Sequence, residues 1–367
     1  MPGAAYPAPQ VIDAVQAVWG ASLQPAGCPL CKQVFLAASA ALGQICPACA
    51  GARLEAQPVL GRDEPPEKLL PFGQAKNGLA EGLQRFVGAV WLRPDDLDAR
   101  RLLERAVPLY WPVWLVDCDL DGSWEGEAGY PYQVERSRES YNSSGWTSQA
   151  LTETHTRWEA RAGQIRRHYD NVATPALHDH ARLAHQAGAY PFEQAGAFRP
   201  ELLGEASVQL PDLTPEEAWL KARLLVDQAA AADCRQALDT PDVRRFELEA
   251  QYNSLNWTQL LLPVYASWYV DEAGKPHPVT INGLSGQVGG VRLASQRKGW
   301  QWAGISVAAA ALLFVVSLLL FNLAPVDSTA YNVGRLLNLL AFGVGIFALV
   351  PASWPWQWNR KQRVEND

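Results

Sequence analysis

Residues 304–324 read GISVAAAALLFVVSLLLFNLA, and residues 336–354 read LLNLLAFGVGIFALVPASW. Neither stretch contains a charged residue. At a rise of about 1.5 Å per residue, a helix of the first length covers the roughly 30 Å hydrocarbon core of a bilayer. The second stretch is just long enough to cross back. Because soluble folds rarely contain two such runs, the sequence predicts a hairpin of two transmembrane helices at the C-terminal end.

The residues that flank the two apolar stretches predict their orientation. Basic residues precede the first stretch and follow the second, whereas the connecting loop offers only Asp327 and Arg335. The flanking basic residues are Arg292, Arg297, Lys298, Arg360, Lys361 and Arg363. The positive-inside rule therefore places both long termini in the cytoplasm. Five tryptophans lie at the same ends and predict an aromatic belt at one interface. They are Trp300, Trp302, Trp354, Trp356 and Trp358.

Composition limits the function of the remaining chain. With 367 residues, 48% of them apolar, the chain is long enough for two or three packed domains. The net charge of −7 argues against a dedicated nucleic-acid binder, which usually carries a large basic patch. The first twenty residues contain no basic segment followed by an apolar run, so no secretory signal is predicted.

Two C-x-x-C pairs predict a metal site. The segment 28–49 reads CPLCKQVFLAASAALGQICPAC and contains Cys28, Cys31, Cys46 and Cys49. Two such turns bring four thiolates to one ion, and tetrahedral Zn(II) is the ion that favours this set. Iron remains the alternative, because similar turns hold rubredoxin-type iron. Four protein ligands leave no open position for water, so the expected role of Zn(II) is structural.

Two details qualify this metal site. Glycine is common after the second cysteine of such turns, yet Lys32 and Ala50 stand there. The other two cysteines, Cys118 and Cys234, lie alone in apolar or helical surroundings and are expected to be buried packing residues. Unpaired cysteines of this kind indicate a reducing cytoplasm rather than a secreted disulfide scaffold.

The chain divides by composition into a predicted α+β fold with terminal modules. Aromatic and β-branched runs at 107–126 and 260–283 predict strands. Thr214, Pro215 and Glu217 form the pattern of a capping box at the start of a long helix that extends until Pro241. The predicted domains are an N-terminal segment (1–24), a zinc ribbon (25–52), a linker (53–67), a cytoplasmic α+β domain with an antiparallel sheet (68–299), the transmembrane hairpin (300–358) and a cytoplasmic tail (359–367).

Other candidate sites are weaker. Five histidines fall within residues 155–185, but their spacing matches no helical ligand face, so a solvated surface stretch is expected. They are His155, His168, His178, His180 and His185. The glycine-rich segment INGLSGQVGG at 281–290 predicts turns. The sequence contains no nucleophile elbow, phosphate-binding loop or zinc-protease motif, so no enzymatic activity is predicted.

The order of several motifs gives the chain a family resemblance. After the cysteine module come LLPFGQAKNGLAEGLQRFVGAVWLRPDDL (69–97), YWPVWLVDCDLDGSWEG (110–126) and YPFEQAGAFRPELLGE (190–205). LLPVYASWYV (261–270) and INGLSGQVGG (281–290) then precede the apolar stretches. In this order the chain resembles the bacterial family labelled TFIIB-type zinc ribbon-containing protein, which is sometimes mislabelled as primosomal or helicase-related. It departs from the family pattern at Tyr265, where tryptophan is usual, and at Ser285, where threonine is usual.

The resemblance implies a role without catalysis. The family has no established enzymatic activity, and its members are often encoded beside PspA-type (ESCRT-III-like) membrane-stress proteins and SPFH-type or TPM-domain proteins. It implies a multi-pass protein of the bacterial inner membrane that recruits such partners, and self-association is left open. The alternative is nucleic-acid binding by the ribbon. Against it, Lys32 is the only basic residue between Cys28 and Cys49.

Overall fold

The computed structural model describes residues 9–57, 64–142, 145–238, 240, 242–326 and 328–366. Its helices are α1 Pro9–Trp19, α2 Ala80–Gly88, α3 Ala99–Arg105, α4 His180–Ala187, α5 Pro215–Gln236, α6 Gln296–Leu323, α7 Thr329–Phe347 and α8 Leu349–Asn366. Its strands are β1 Gln24–Gly27, β2 Val34–Ala37, β3 Glu55–Ala56, β4 Lys68–Leu69, β5 Val107–Asn142, β6 Gly145–Pro175, β7 Gly196–Ala197, β8 Ser207–Gln209, β9 Asp242–Val270, β10 Pro276–Asn282 and β11 Val288–Gly290.

Some sequence-based expectations fall outside these residues. Much of the predicted linker, residues 58–63, is not described, and neither are residues 1–8 of the predicted N-terminal segment. Pro241, where the long helix was expected to end, Asp327 in the connecting loop and Asp367 at the end of the predicted tail also lie outside the described residues.

The chain forms two compact units. The first contains Met1–Pro112, His178–Asp212 and Leu261–Asp367, and the second contains Val113–Leu177 and Leu213–Leu260. Strands β5 and β9 contribute residues to both.

A mixed sheet organises the first unit. Its strands follow the order β3-β1-β2-β8-β5-β9-β10-β11. Strands β5 and β8 run parallel, with Leu109 beside Ser207, whereas the pairs β1–β2, β2–β8 and β9–β10 are antiparallel. The predicted α+β class is confirmed, and the sheet is mixed rather than wholly antiparallel.

Two apolar clusters pack against this sheet. One joins α2 and α3 to β9 and β10 through residues such as Leu83, Phe86 and Tyr269. The other packs Trp19 of α1 on Leu36 and Tyr110. Burying a side chain of this size stabilises a fold by about 1.5–3 kcal/mol. These clusters therefore hold the helices of the first unit against its sheet.

The second unit is built on two very long strands. Strands β5 and β6 pair antiparallel from Val113 beside Pro175 to Asn142 beside Gly145. Helix α5 buries one face in this unit, which includes Ala222, Val226 and Ala230 and packs near Cys118. The capping box predicted at its start is confirmed, because the Thr214 hydroxyl accepts from the Glu217 amide and the Glu217 carboxylate accepts from the Thr214 amide.

Two helices at the C-terminal end are long and apolar enough to cross a membrane. They span Gln296–Leu323 and Thr329–Gln362, the second including α7 and most of α8. Only 6% and 17% of their most apolar windows are buried. A core helix of a soluble protein would be mostly buried, so length, composition and exposure together suggest association with a membrane. The two helices contact each other where the Ser317 hydroxyl donates to the Gly334 carbonyl at 2.9 Å.

Within the first unit, polar side chains of helix α8 bind the segment that precedes α6. Asn359 accepts from the Ala294 amide at 2.7 Å and donates to the Ala294 carbonyl at 3.0 Å. The Arg292 amide donates to the Gln362 carboxamide at 3.2 Å, and the Trp358 indole donates to the Arg292 carbonyl at 2.6 Å. These bonds satisfy backbone groups of the segment just before α6. They couple α8 to the start of α6.

Candidate metal centre

The first cysteine turn lies in the hairpin of β1 and β2. The Lys32 amide donates to the Cys28 carbonyl at 3.0 Å, and the Cys28 amide donates to the Gln33 carbonyl at 3.0 Å. Lys32 has a φ of 63°. This left-handed conformation is the one that glycine usually provides in such turns, and it costs a residue with a Cβ roughly 1 kcal/mol.

The second turn repeats the first. The Ala50 amide donates to the Cys46 carbonyl at 2.9 Å, the Cys46 amide donates to the Ala52 carbonyl at 2.8 Å, and Ala50 has a φ of 55°. The Gly51 amide points at the Cys49 sulfur, 3.4 Å away. The two residues that the sequence left unexplained, Lys32 and Ala50, therefore occupy equivalent left-handed positions.

The two turns bring all four cysteine sulfurs together. Sγ of Cys28 lies 3.6 Å from Sγ of Cys49, and Sγ of Cys31 lies 3.7 Å from Sγ of Cys46. All four sulfurs lie within 4.8 Å of one another. A tetrahedral ion with metal–sulfur bonds of about 2.3 Å would hold its sulfurs about 3.8 Å apart. The cluster can thus hold one metal ion with little movement.

The thiols of the cluster share their protons unevenly. Hydrogen bonds with Cys31 and then Cys49, together with burial, raise the pKa of the Cys46 thiol. Hydrogen bonds from Cys31 and Cys46 lower the pKa of Cys49 to about 2. Four thiolates cannot lie this close without a compensating charge, and a bound cation supplies it. The electrostatics therefore fit a cation-binding site.

Gln33 connects the cluster to the sheet. Its carbonyl accepts from the Cys28 amide, and its carboxamide donates to Asp212 at 2.6 Å and accepts from Gln209 at 2.8 Å. Strand β2 pairs with β8 at Phe35 and Gln209. The cluster is thus attached to the sheet of the first unit through both backbone and side chains.

The remaining cysteines and the histidines do not join this centre. Cys118 and Cys234 are buried in the second unit, where burial raises the pKa of both thiols. His168 lies between Asp119 and Asp170, at 2.7 and 2.8 Å. The His180 ring lies 5.0 Å from the Trp111 ring and is tilted by 47° from it. Within the described part of the chain, the four cysteines are the one group with the geometry of a metal site.

The glycine-rich segment 281–290 forms turns between β10 and β11. The Asn282 carboxamide accepts from the amides of Leu284 and Ser285 at 2.8 and 3.0 Å, and Gly286 adopts a φ of 72°. A Cβ at Gly289 would lie 2.2 Å from the Gln186 carbonyl oxygen. The segment therefore forms a turn, as the sequence predicts, and Gly289 also allows a close approach to α4 that the sequence did not predict.

Sequence reasoning missed two features. The left-handed conformation of Lys32 and Ala50 had one signal, their position after the second cysteine of each pair. The attachment of α8 through Asn359 and Gln362 had no recognisable signal, because two carboxamides in a polar helix are ordinary. No protein-family model matches the chain, and no curated protein or solved structure matches it either.

Proposed function

We propose that the chain is a membrane-anchored cytoplasmic scaffold in which a zinc ribbon, stabilised by structural Zn(II), is carried on the sheet of the first unit. The attachment of α8 to residues 292–294 is the observation that supports this most, since four hydrogen bonds join α8 to the segment that connects β11 of the sheet to α6. A scaffold needs such a joint, because it must hold a folded domain at a membrane surface. A flexible tether would need none of these bonds.

Zinc is the proposed ion. Four sulfurs spaced close to the tetrahedral distance leave no coordination position for a substrate or water, so the ion acts through folding rather than chemistry. Iron would use the same four ligands. Element analysis of the purified chain separates the two, with one zinc atom per chain expected, and a stoichiometric iron content would overturn the assignment.

The apolar helices are proposed to form a transmembrane hairpin in the bacterial inner membrane with both termini in the cytoplasm. The basic residues that flank the helices support this orientation, because Arg297 and Lys298 at the start of α6 and Arg360 and Lys361 in α8 lie at corresponding ends. Trp300, Trp302 and Trp356 in the same region are exposed, whereas Trp354 and Trp358 pack against the core of the first unit. Exposed tryptophans of this kind suit the membrane–water interface.

The proposed partners come from the family resemblance. They are PspA-type (ESCRT-III-like) or SPFH-type membrane-stress proteins, which the scaffold would recruit to the membrane. Crosslinking in intact membranes followed by affinity purification in mild detergent tests this proposal. Recovery of such a protein with the native chain, and its loss when Cys46→Ser disrupts the ribbon, is expected. A purification that returned no protein partner from cells containing these proteins would count against it.

A further inference from the structure

Strand β6 is a long and open sheet edge. It pairs with β5, and among the described residues 150–170 no backbone hydrogen bond reaches another element. At about 3.3 Å per residue this edge extends for roughly 70 Å. Such an edge presents alternate amides and carbonyls outward and is a template for a further strand.

The strand on the other side of β5 is less suited to pairing. In β9, Arg245 and Ser254 have left-handed backbones, with φ of 50° and 55°. Irregularities of this kind interrupt strand addition. In β6 the first described non-glycine residue with positive φ is Asn171, so residues 150–170 offer an uninterrupted edge.

Among the residues that the structure describes, part of the β5–β6 pair has no third strand beside it. A side chain at Gly129 would collide with Asp242, which places the start of β9 beside Gly129. Beyond that point β5 and β6 continue as a two-stranded ribbon, formed by residues 130–142 and 145–157. Tyr132 and Leu151 on this ribbon are 49% and 36% exposed. An isolated two-stranded ribbon is only marginally stable in water, so a further strand would stabilise it.

We propose that β6 pairs antiparallel with β6 of a second copy of the chain, with Ala160 facing Ala160 of the partner subunit. In this register Glu159 faces Arg161 of the partner subunit, and Glu153 faces Arg167 of the partner subunit. The two-fold symmetry repeats both contacts, which gives four pairs of opposite charges. On the other face, Trp158 meets the small side chain of the partner's Ala162.

The charges select this register over its neighbours. A register centred on Glu159 would place the two Glu159 carboxylates opposite each other. A register centred on Arg161 would place the two Arg161 guanidinium groups opposite each other. Centring on Ala162 would place Arg157 against Arg167 of the partner subunit. Like charges directly opposite destabilise a strand pair. Centring on Trp158 would give two pairs of opposite charge, Glu159 with Arg157 of the partner subunit and its symmetry copy, against four for Ala160, so the register centred on Ala160 is favoured.

The same register supports the ribbon. Residues 150–157 of one copy lie against residues 163–170 of the other. The second stretch pairs with the part of β5 that precedes Gly129 in the sequence. There Arg167 forms an ion pair with Asp233 of α5 at 3.0 Å. The weakly supported half of each β6 therefore pairs with the well-supported half of its partner.

A cysteine pair distinguishes this arrangement from other assemblies. In the full chain in mild detergent, Ala160→Cys is expected to give a covalent dimer under mild oxidation. Ala162→Cys is the matched control, because Ala162 is also exposed and lies on the same face of β6. In the proposed register the two thiols that this control introduces are about 13 Å apart along the strands, too far for a disulfide. Equal crosslinking of both variants, crosslinking of neither, or a larger assembly without a crosslink between the two copies of position 160 would overturn the proposal.

A charge swap tests the register independently. Glu159→Arg and Arg161→Glu each place like charges opposite at two positions, so each is expected to weaken dimerisation about tenfold. The double variant Glu159→Arg/Arg161→Glu restores opposite charges and is expected to recover most of the affinity. Sedimentation of the full chain in detergent at several concentrations measures this. A double variant that dimerises no better than the single variants, or a native chain that stays monomeric, would contradict the pairing.

Discussion

The cysteine module and the β5–β6 ribbon are held together in different ways. In the module, two turns place four sulfurs within 4.8 Å of one another. In the ribbon, the described stabilisation is the backbone pairing of residues 130–142 with 145–157 and a few side-chain contacts across it, such as Arg136 with Glu153. A small module can be stabilised by an ion, whereas a ribbon needs more strands. The following expectations test this difference, from the largest effect to the smallest.

Removal of a buried ligand should have the largest effect. Cys46→Ser deletes a fully buried sulfur, so we expect loss of the bound metal and of protease resistance across residues 24–57. Cys234→Ala removes a buried sulfur from the second unit and should leave the metal content at one per chain. Element analysis and limited proteolysis measure both, and full metal retention by Cys46→Ser would argue against a four-cysteine site.

The attachment of α8 should be the next most sensitive feature. Asn359→Ala leaves the Ala294 amide and carbonyl without their partner, at an expected cost of about 2–3 kcal/mol. Gln357→Ala in the same helix is exposed and serves as the control. Urea unfolding of the chain in detergent, monitored by tryptophan fluorescence, measures the difference in stability between the two variants. Equal midpoints for the two variants would show that the joint contributes nothing.

The ion pair at Asp96 should make the first unit sensitive to acid. Hydrogen bonds from Arg105 hold the pKa of Asp96 at about 2, below its unfolded value. A lowered pKa means that the stabilisation is present above about pH 4 and is lost as the pH falls toward 2. Asp96→Asn should therefore cost about 2 kcal/mol at pH 7 and little at pH 2.

The control for Asp96 is the adjacent acid. Asp95 pairs with Lys298 but its side chain is 88% exposed, so Asp95→Asn should change little at either pH. Denaturant midpoints measured between pH 7 and pH 2 compare the two. A pH profile that is identical for the native chain and Asp96→Asn would remove Asp96 from the account.

The smallest expected effect is a gain in the stability of the cysteine module. Ala50→Gly places glycine at a left-handed position and is expected to stabilise the module by up to about 1 kcal/mol. Ala48→Gly, within the same turn, lacks this benefit and should destabilise it slightly. The chelator concentration that removes half of the metal measures the stability of the module in each variant. Equal losses of stability would contradict the assigned conformation.

What the sequence could predict followed from local patterns. The capping box at Thr214 and Glu217 depends on residues three apart, and the cysteine turns depend on residues within two short segments. The apolar helices were predictable because an uncharged run of such length has few other uses. In each case, neighbouring residues carried enough information to specify the structure.

The long strands could not be predicted in the same way. Between Tyr130 and Arg157 the ribbon sequence is mostly polar at odd and even positions alike, so no alternation of apolar and polar residues marks it as β-structure. The membership of β5 and β9 in both units was equally hidden, because it depends on pairing between distant segments. These features depend on tertiary context, which a single sequence reports poorly.

The central claim is that two C-terminal helices anchor the chain in the membrane with its folded units in the cytoplasm. Alkaline washing of membranes that contain the intact chain, combined with a reporter fused after Asp367, tests it most directly. We expect the chain to remain in the membrane pellet and a reporter that is active only in the cytoplasm to give a signal. Release of the intact chain into the wash, or an external reporter, would contradict the account.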